Sequence, residues 1–439
     1  MRVVVVGAGF AGMRCALRLR ASGADVVLLE GGQRAGGRVR TMRAPFIDGQ
    51  YSESGAEWVD TIHGRLLELL DRYDVSLLGT GERWTVIRRW LHHGGELMSP
   101  ERVREVDPTI DHQLERFEAI VEAVEAGIKD PSRPQLHPDA AELDRRSLAD
   151  VAAEAGLGEL AALFKRRDSQ GEFAAEPAQV SLLFVAQQRA HQRDASGGEE
   201  VVAQRARGGF SQVAAGMAGE LGHTIQFGRH LTSVAQDADE VVVGTDDGEL
   251  RADHVVLACS LVPLRRVTFH DEMPSDLHRA VHELGYGTIT KTSVQWPERA
   301  WPAGYATTAG RAQRVYDPTI DQPGKAGILM AYCGGDGGHQ WAEMTEAERI
   351  DLAADEMRQM HGIPNLPLGG WSRAWGAQAR YGGSYAVYQP GQVTAFWDVL
   401  RRPWGRVHLA GEHVATCTGY MEGALESGDT VADRLLGSR

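Results

Sequence analysis

Cysteine is scarce in this sequence: 439 residues carry four, Cys15, Cys259, Cys333 and Cys417, with no CxxC pair. Such spacing offers neither a disulfide framework nor a zinc ligand set, and it fits a chain kept in a reducing cytoplasm. Long apolar runs are missing too. Val3-Val4-Val5-Val6 follows a single Arg2 and is too short for a signal-peptide core or a membrane span, and no later segment comes near the length a span needs. A cytoplasmic protein with no membrane partner is expected. Blocks of Lys/Arg are absent, and the formal net charge is −14. Nucleic acid is thereby excluded as a partner, because binding a phosphate backbone needs a basic face. The 52 glycines follow no period, which excludes a solenoid. No metal constellation is present either; His92-His93 has no matching ligands and reads as loop.

What is there is enough to fold. Apolar residues make up 43% of the chain, with 10 Trp, 10 Tyr and 10 Phe for cores, so global disorder is excluded. The length exceeds one ordinary core and implies two substantial lobes. Val3–Val6 reads as a strand buried on both faces, Met13–Ala21 as a helix and Val26–Leu29 as a second strand. His63–Tyr73 is patterned as a helix, and Trp84–Trp90 alternates like a strand before a Gly94-Gly95 turn. From Pro100 to about Ala190 the pattern is helical, with Ile110–Gly127 amphipathic and Ser147 a cap for the helix through Ala155.

Strand signals return at Thr224–Phe227, Glu240–Gly244 and His254–Ala258, with Asp246-Asp247-Gly248 as a hairpin turn. Ile289–Gln295 alternates, and Ile328–Tyr332 follows. Thr345–His361 opens like a capping box, Val407–Ala410 is a buried strand and Met421–Leu436 the last helix. Strand-rich pieces at the start, middle and end thus alternate with a helical block and a mixed block. Two interleaved domains are expected in an α/β fold. Residues 1–80, 203–285 and 395–439 form one, and residues 81–202 and 286–394 form an α+β substrate lobe.

Gly7-x-Gly9-x-x-Gly12 lies between the first strand and the first helix, and Glu30 ends the second strand 18 positions after Gly12. This is the complete context of a Rossmann-like dinucleotide site. Gly7 allows the tight turn, Gly9 lets backbone approach a pyrophosphate, and Gly12 lets helix and sheet pack closely. The helix N-terminus offers free N–H groups to the phosphates, and Glu30 accepts from a ribose diol. NAD and FAD are both open at this point. Gly31 follows Glu30, and Gly36-Gly37-Arg38 supplies another glycine pair and a cation suited to a second phosphate or a flavin edge.

With these phrases the chain resembles the flavin-containing amine oxidases, the monoamine and polyamine oxidase family. Ser54-Gly55-Ala56-Glu57-Trp58 looks like its next flavin-contacting loop, and Glu176–Ser181 like its substrate-domain helix start. Gly208-Gly209-Phe210 with Thr224–Val234 is similar to the third cofactor segment, which places backbone near Leu231 against adenine. Ala410-Gly411-Glu412 and Gly419-Tyr420-Met421-Glu422-Gly423-Ala424 resemble the C-terminal signature. The resemblance implies FAD, with Glu412 on the ribityl chain and the helix from Met421 aimed at the flavin pyrimidine.

For the reacting end the resemblance implies three groups. Lys291 would stand near flavin N5 and assist oxygen reduction; Tyr385 and Tyr420 would flank the substrate amine, with Trp375 nearby against the cofactor. Covalent members of the family carry a cysteine before the first cage tyrosine; here Ser384 stands there, so the flavin is expected to be non-covalent. The implied activity is oxidation of a small amine at its α-carbon, with dioxygen as acceptor, hydrogen peroxide as product and the iminium hydrolysing to aldehyde or ketone. A homodimer is the family expectation. An L-amino-acid oxidase, needing a cation such as Arg207 or Arg380 for the α-carboxylate, is the nearest alternative. Beside it stand a flavin desaturase or dehydrogenase of the same fold and a non-catalytic flavin binder. His191-Gln192-Arg193-Asp194 reads as a lid or a plain loop.

Overall fold

The structure, a computed structural model, describes residues 1–78 and 89–437. Five parallel strands make its first sheet, in the order Ile225–Phe227, Asp25–Glu30, Arg2–Val6, His254–Leu257 and Val407–Leu409. Val3 to Val6 are all buried, because helices and loops cover both faces of this central strand. Two apolar cores result. Val3, Val5 and Leu28 face one with Met13 and Leu425, whereas Val4, Val6 and Leu29 face the other.

Helix Phe10–Ala21 packs along the C-terminal helix Met421–Gly437, so the two ends of the chain meet. Arg14 and Arg18 both bond Asp429, at 2.7 and 3.1 Å. A smaller sheet, Gly248–Ala252, Val241–Thr245, Leu231–Gln236 and Thr268–Phe269, lies beside the first. Its hairpin turns at Asp246-Asp247, with Thr245 paired to Gly248.

A mixed sheet of seven strands forms the other half. It runs Gly369–Ala374, Ile289–Trp296, Gly327–Gly334, Arg314–Tyr316, Tyr305–Thr308, Arg89–His93 and Glu96–Met98. The helices Ile110–Gly127, Glu159–Glu172 and Leu182–Ser196 come from the helical block. Caps appear where the sequence places them: Ser147 with Asp150 starts Leu148–Glu154, and Thr345 with Glu348 starts Glu346–His361.

Ile289–Trp296 departs from the alternating strand expected of it, since all of its residues are buried. It lies between two partner strands, with helix Glu346–His361 against it and residues 50–57 bonded to its side chains. Its polar side chains are satisfied inside the protein: Ser293 meets Ser52 at 3.0 Å, Gln295 donates to Gln50 at 2.9 Å, and Thr292 meets Ser372 at 2.7 Å. Lys291 is carried into the interior by this strand.

Three other readings are corrected or bounded. His92 and His93 are strand residues, not loop, with His92 paired to Thr308 across the sheet and bonded to its hydroxyl at 3.3 Å. His191–Asp194 form neither lid nor loop: they continue helix Leu182–Ser196, which runs unbroken from its Ser181 cap to Gly197. Of the strand expected at Trp84–Trp90, the part before Arg89 lies outside the described residues; Gly94-Gly95 does turn the chain between paired His93 and Glu96. Among the described residues no helix is long and apolar enough to cross a membrane, and no group of His, Cys, Asp and Glu could hold a metal ion.

Candidate active site

A cavity of about 820 Å³ is walled by both large sheets. One end is built by the turn after strand Arg2–Val6, where Gly7, Gly9 and Ala11 line it. Gly7 has φ 107°, and a Cβ there would sit 2.9 Å from the Ala258 carbonyl oxygen. A Cβ on Gly12 would drive into the Gly7 carbonyl; Gly12 does not line the cavity and acts only in packing helix on strand. Gly9 is the reverse case, with nothing within 4 Å of the missing Cβ. No side chain caps the helix that starts at Phe10. A bare helix N-terminus beside open space fits a pyrophosphate.

Glu30 lines the same end, its carboxylate fixed by the backbone N–H groups of Ala8 at 2.9 Å and Gly32 at 2.7 Å. Gly31 and Leu231 stand beside it. Further along, Gly36, Gly37 and Arg38 face Gly411 and Glu412. Arg38 donates to Glu412 at 2.8 Å and to the Ser384 carbonyl at 2.7 Å, while Glu412 also accepts from the Gly419 N–H at 3.1 Å. Met421 and Ala424, from the first turn of the C-terminal helix, complete this stretch.

At the other end Lys291 is 4% exposed, and its ammonium donates to Glu57 at 2.8 Å, the Gly55 carbonyl at 2.9 Å and the Glu53 carbonyl at 3.3 Å. Tyr316 donates to the same Glu57 oxygen at 2.6 Å, and Arg205 approaches its other oxygen at 3.3 Å while covering the Trp58 ring. Burial opposes the Glu57 charge, but Lys291 and Arg205 outweigh it and hold the carboxyl below its ordinary pKa. Glu53 is the opposite case. Burial pushes it up to about 7 despite bonds from Phe210 and Thr41.

Gly55, Ala56, Trp58 and Trp375 wall the cavity next to Lys291, Trp375 anchored by its indole N–H on the Ser54 carbonyl at 2.6 Å. Tyr385 bonds the Tyr332 hydroxyl at 3.3 Å and the Gly171 carbonyl at 3.2 Å. Tyr420 is braced by the His63 ring, centroids 5.3 Å apart. Burial holds both phenols well above the ordinary tyrosine range, helped by Tyr332 for Tyr385 and by Glu172 for Tyr420. They stay neutral and can accept an amine between them.

The residues expected to react or to hold the cofactor therefore line one cavity, Gly12 excepted. Arg380 lines it too, but beside Gly32 at the Glu30 end, and Arg207 does not, so neither stands where an α-carboxylate beside the tyrosines would lie. Sequence reasoning missed Tyr316, Tyr332, Arg314, Asp60 and Glu172. They fall outside the glycine phrases, and only the folded sheet brings them to this wall.

Known proteins resemble this chain over nearly its full length. An L-amino acid dehydrogenase of Synechocystis sp. is 26% identical over 99% of this chain and 94% of its own length. A probable flavin-containing monoamine oxidase A of Dictyostelium discoideum is 27% identical over 100% of this chain and 98% of its own. A triple mutant of putrescine oxidase superposes with a TM-score of 0.87 at 22% identity, covering 100% of this chain and 99% of that one. It shows that the fold is shared. Residues 10–436 match the flavin containing amine oxidoreductases, and the chain belongs to that family of oxidoreductases, which implies a flavin cofactor.

Proposed function

We propose that the protein is an FAD-dependent amine oxidase that binds its flavin without a covalent bond. The observation that carries this reading is the placement of Tyr385, Tyr420 and Lys291 on the walls of a cavity whose other end is the glycine turn. When bound, FAD supplies the hydride acceptor for the α-carbon of the amine and passes the electrons to dioxygen as hydrogen peroxide. Gly7, Gly9, Ala11 and the helix N-terminus would hold its pyrophosphate, Glu30 and Leu231 its adenosine side, and Arg38, Glu412 and the first turn at Met421 its ribityl and flavin side. The parallel sheet draws its strands from 1–80, 203–285 and 395–439, in keeping with an FAD domain of those segments.

The protein's own groups orient the reaction. Tyr385, locked by Tyr332 and Gly171, and Tyr420, locked by His63, hold the neutral amine with its lone pair between two rings. Buried walls exclude bulk water from the α-carbon. Lys291 keeps a positive charge beside the reacting end, fixed by Glu57, where negative charge grows on reducing oxygen. The iminium product then leaves and hydrolyses.

Ser384 occupies the position of a tethering thiol, and its hydroxyl is spent on the Gly287 carbonyl at 2.8 Å. A panel of amines assayed for peroxide release tests the activity, and acid precipitation tests the linkage: yellow colour left in the supernatant is expected. Colour in the pellet refutes a non-covalent flavin. An oxidase or dehydrogenase of L-amino acids is the second reading. Arg314, paired with Asp168 at 2.7 Å, lines the cavity on the wall that also carries Tyr332, and so places a guanidinium near the tyrosines that Arg207 and Arg380 do not. Turnover of L-amino acids alone selects it.

A further inference from the structure

Beside the two tyrosines the cavity wall carries a carboxylate that the reaction above leaves unused. Glu172 is the last residue of helix Glu159–Glu172 and lines the cavity. The carbonyl of the preceding Gly171 lies 3.2 Å from the hydroxyls of both Tyr385 and Tyr332, which ties this helix end to the tyrosines. Protein surrounds Glu172, yet its side chain keeps open surface, and that surface belongs to the cavity.

Among the described residues no hydrogen bond or ion pair engages the Glu172 carboxylate. Burial raises its pKa, Asp168 adds to this, and Arg189, Arg314 and Lys165 pull the other way. Those cations already have partners of their own: Arg314 bonds Asp168 at 2.7 Å, while Arg189 and Lys165 both bond Glu118. A helix C-terminus adds partial negative charge at the same spot. Asp60, also in the wall and close to Tyr420, is a second acid that burial pushes up to about 6. Asp60 has the His63 ring at 3.6 Å, so among the described residues Glu172 is the acid without a partner, and such an acid in a protein-lined space is stabilised by a cation entering it.

We infer that Glu172 holds a second cationic group of the substrate. The amine seated between Tyr385 and Tyr420 then belongs to a dication, an aliphatic amine with a distal ammonium or guanidinium. This rests on the amine-oxidation reading and narrows its substrate class. Two sources share that chemistry. A diamine presents nothing to Arg314, whereas a basic amino acid presents its α-carboxylate to the Arg314 guanidinium in the wall.

The test compares matched pairs on the flavin-loaded protein: pentylamine with pentane-1,5-diamine, and L-norleucine with L-lysine. Anaerobic flavin reduction gives kcat/KM, and perturbation of the flavin spectrum gives binding. The charged member of one pair is expected to lead by about 10- to 100-fold, and Glu172→Gln to bring that ratio close to parity. A lead in the first pair identifies a diamine, and a lead in the second a basic amino acid. Parity within both pairs in the unaltered protein overturns the inference, and so does a ratio that Glu172→Gln leaves intact. Because the unaltered protein is read first, the outcome does not depend on the variant folding. If none of the four reduces the flavin, the inference falls, and the peroxide panel decides separately whether amine oxidation stands.

Discussion

The two ends of the cavity are built on opposite terms. The glycine end is backbone: Gly7, Gly9 and the uncapped helix offer N–H groups and space, and Gly12 keeps helix and strand close enough to make the turn. The tyrosine end is side chain, assembled from Glu57, Glu172, Lys291, Tyr316, Tyr332, Tyr385 and Tyr420, which lie far apart in the chain. At Gly7 and Gly12 the backbone end tolerates no added atom, whereas an end made of side chains tolerates trimming and answers with changed rates.

Gly12→Ala is the hardest blow to the backbone end. Its Cβ meets the Gly7 carbonyl, so a loss of about 3 kcal/mol in thermal unfolding is expected together with loss of flavin absorbance. Retained flavin and stability would erase the contrast. Lys291→Met strikes the other end without touching the cradle. Flavin should remain bound, while reoxidation by dioxygen measured by stopped flow slows about 100-fold; equal slowing of the reductive step would place Lys291 in a different role.

A pH experiment sharpens the comparison on a smaller scale. Glu53 is held protonated by burial up to about 7, so the folded protein binds a proton that the unfolded chain has released. Its contribution to stability is complete below the ordinary carboxyl range and is lost as pH rises through that value. Unfolding free energy should therefore fall by about 3 kcal/mol across that window, and Glu53→Gln should flatten the slope. A slope unchanged in the variant assigns the dependence elsewhere. Tyr385→Phe has the smallest expected effect: losing the bonds to Tyr332 and Gly171 should lower kcat/KM by a factor of about 5 to 10, with flavin content unchanged.

The glycine end was legible because its determinants are local. Val3–Val6, the three glycines and Glu30 are close in sequence, and each has a backbone reason to be what it is. Capping boxes at Ser147 and Thr345 were legible on the same ground. Ile289–Trp296 was legible as a strand but not as a buried one, because period-two polarity looks the same whether the polar side faces water or Ser52 and Gln50. Histidines 92 and 191 misled for a related reason: polar residues in a covered strand or the last turns of a helix resemble loop.

By itself, then, the amino-acid order determined an α/β chain with a glycine turn between its first strand and helix, its principal helices and strands, and the positions that line the glycine end of the cavity. All of these follow from short-range patterns of glycine, burial and capping. Only the tertiary structure decided that Glu57 pairs with Lys291, that Tyr332 and Gly171 lock Tyr385, and that Glu172 stands beside them with no partner among the described residues. Those relations depend on which side chains meet across two sheets, and no local pattern encodes a meeting between residues hundreds of positions apart.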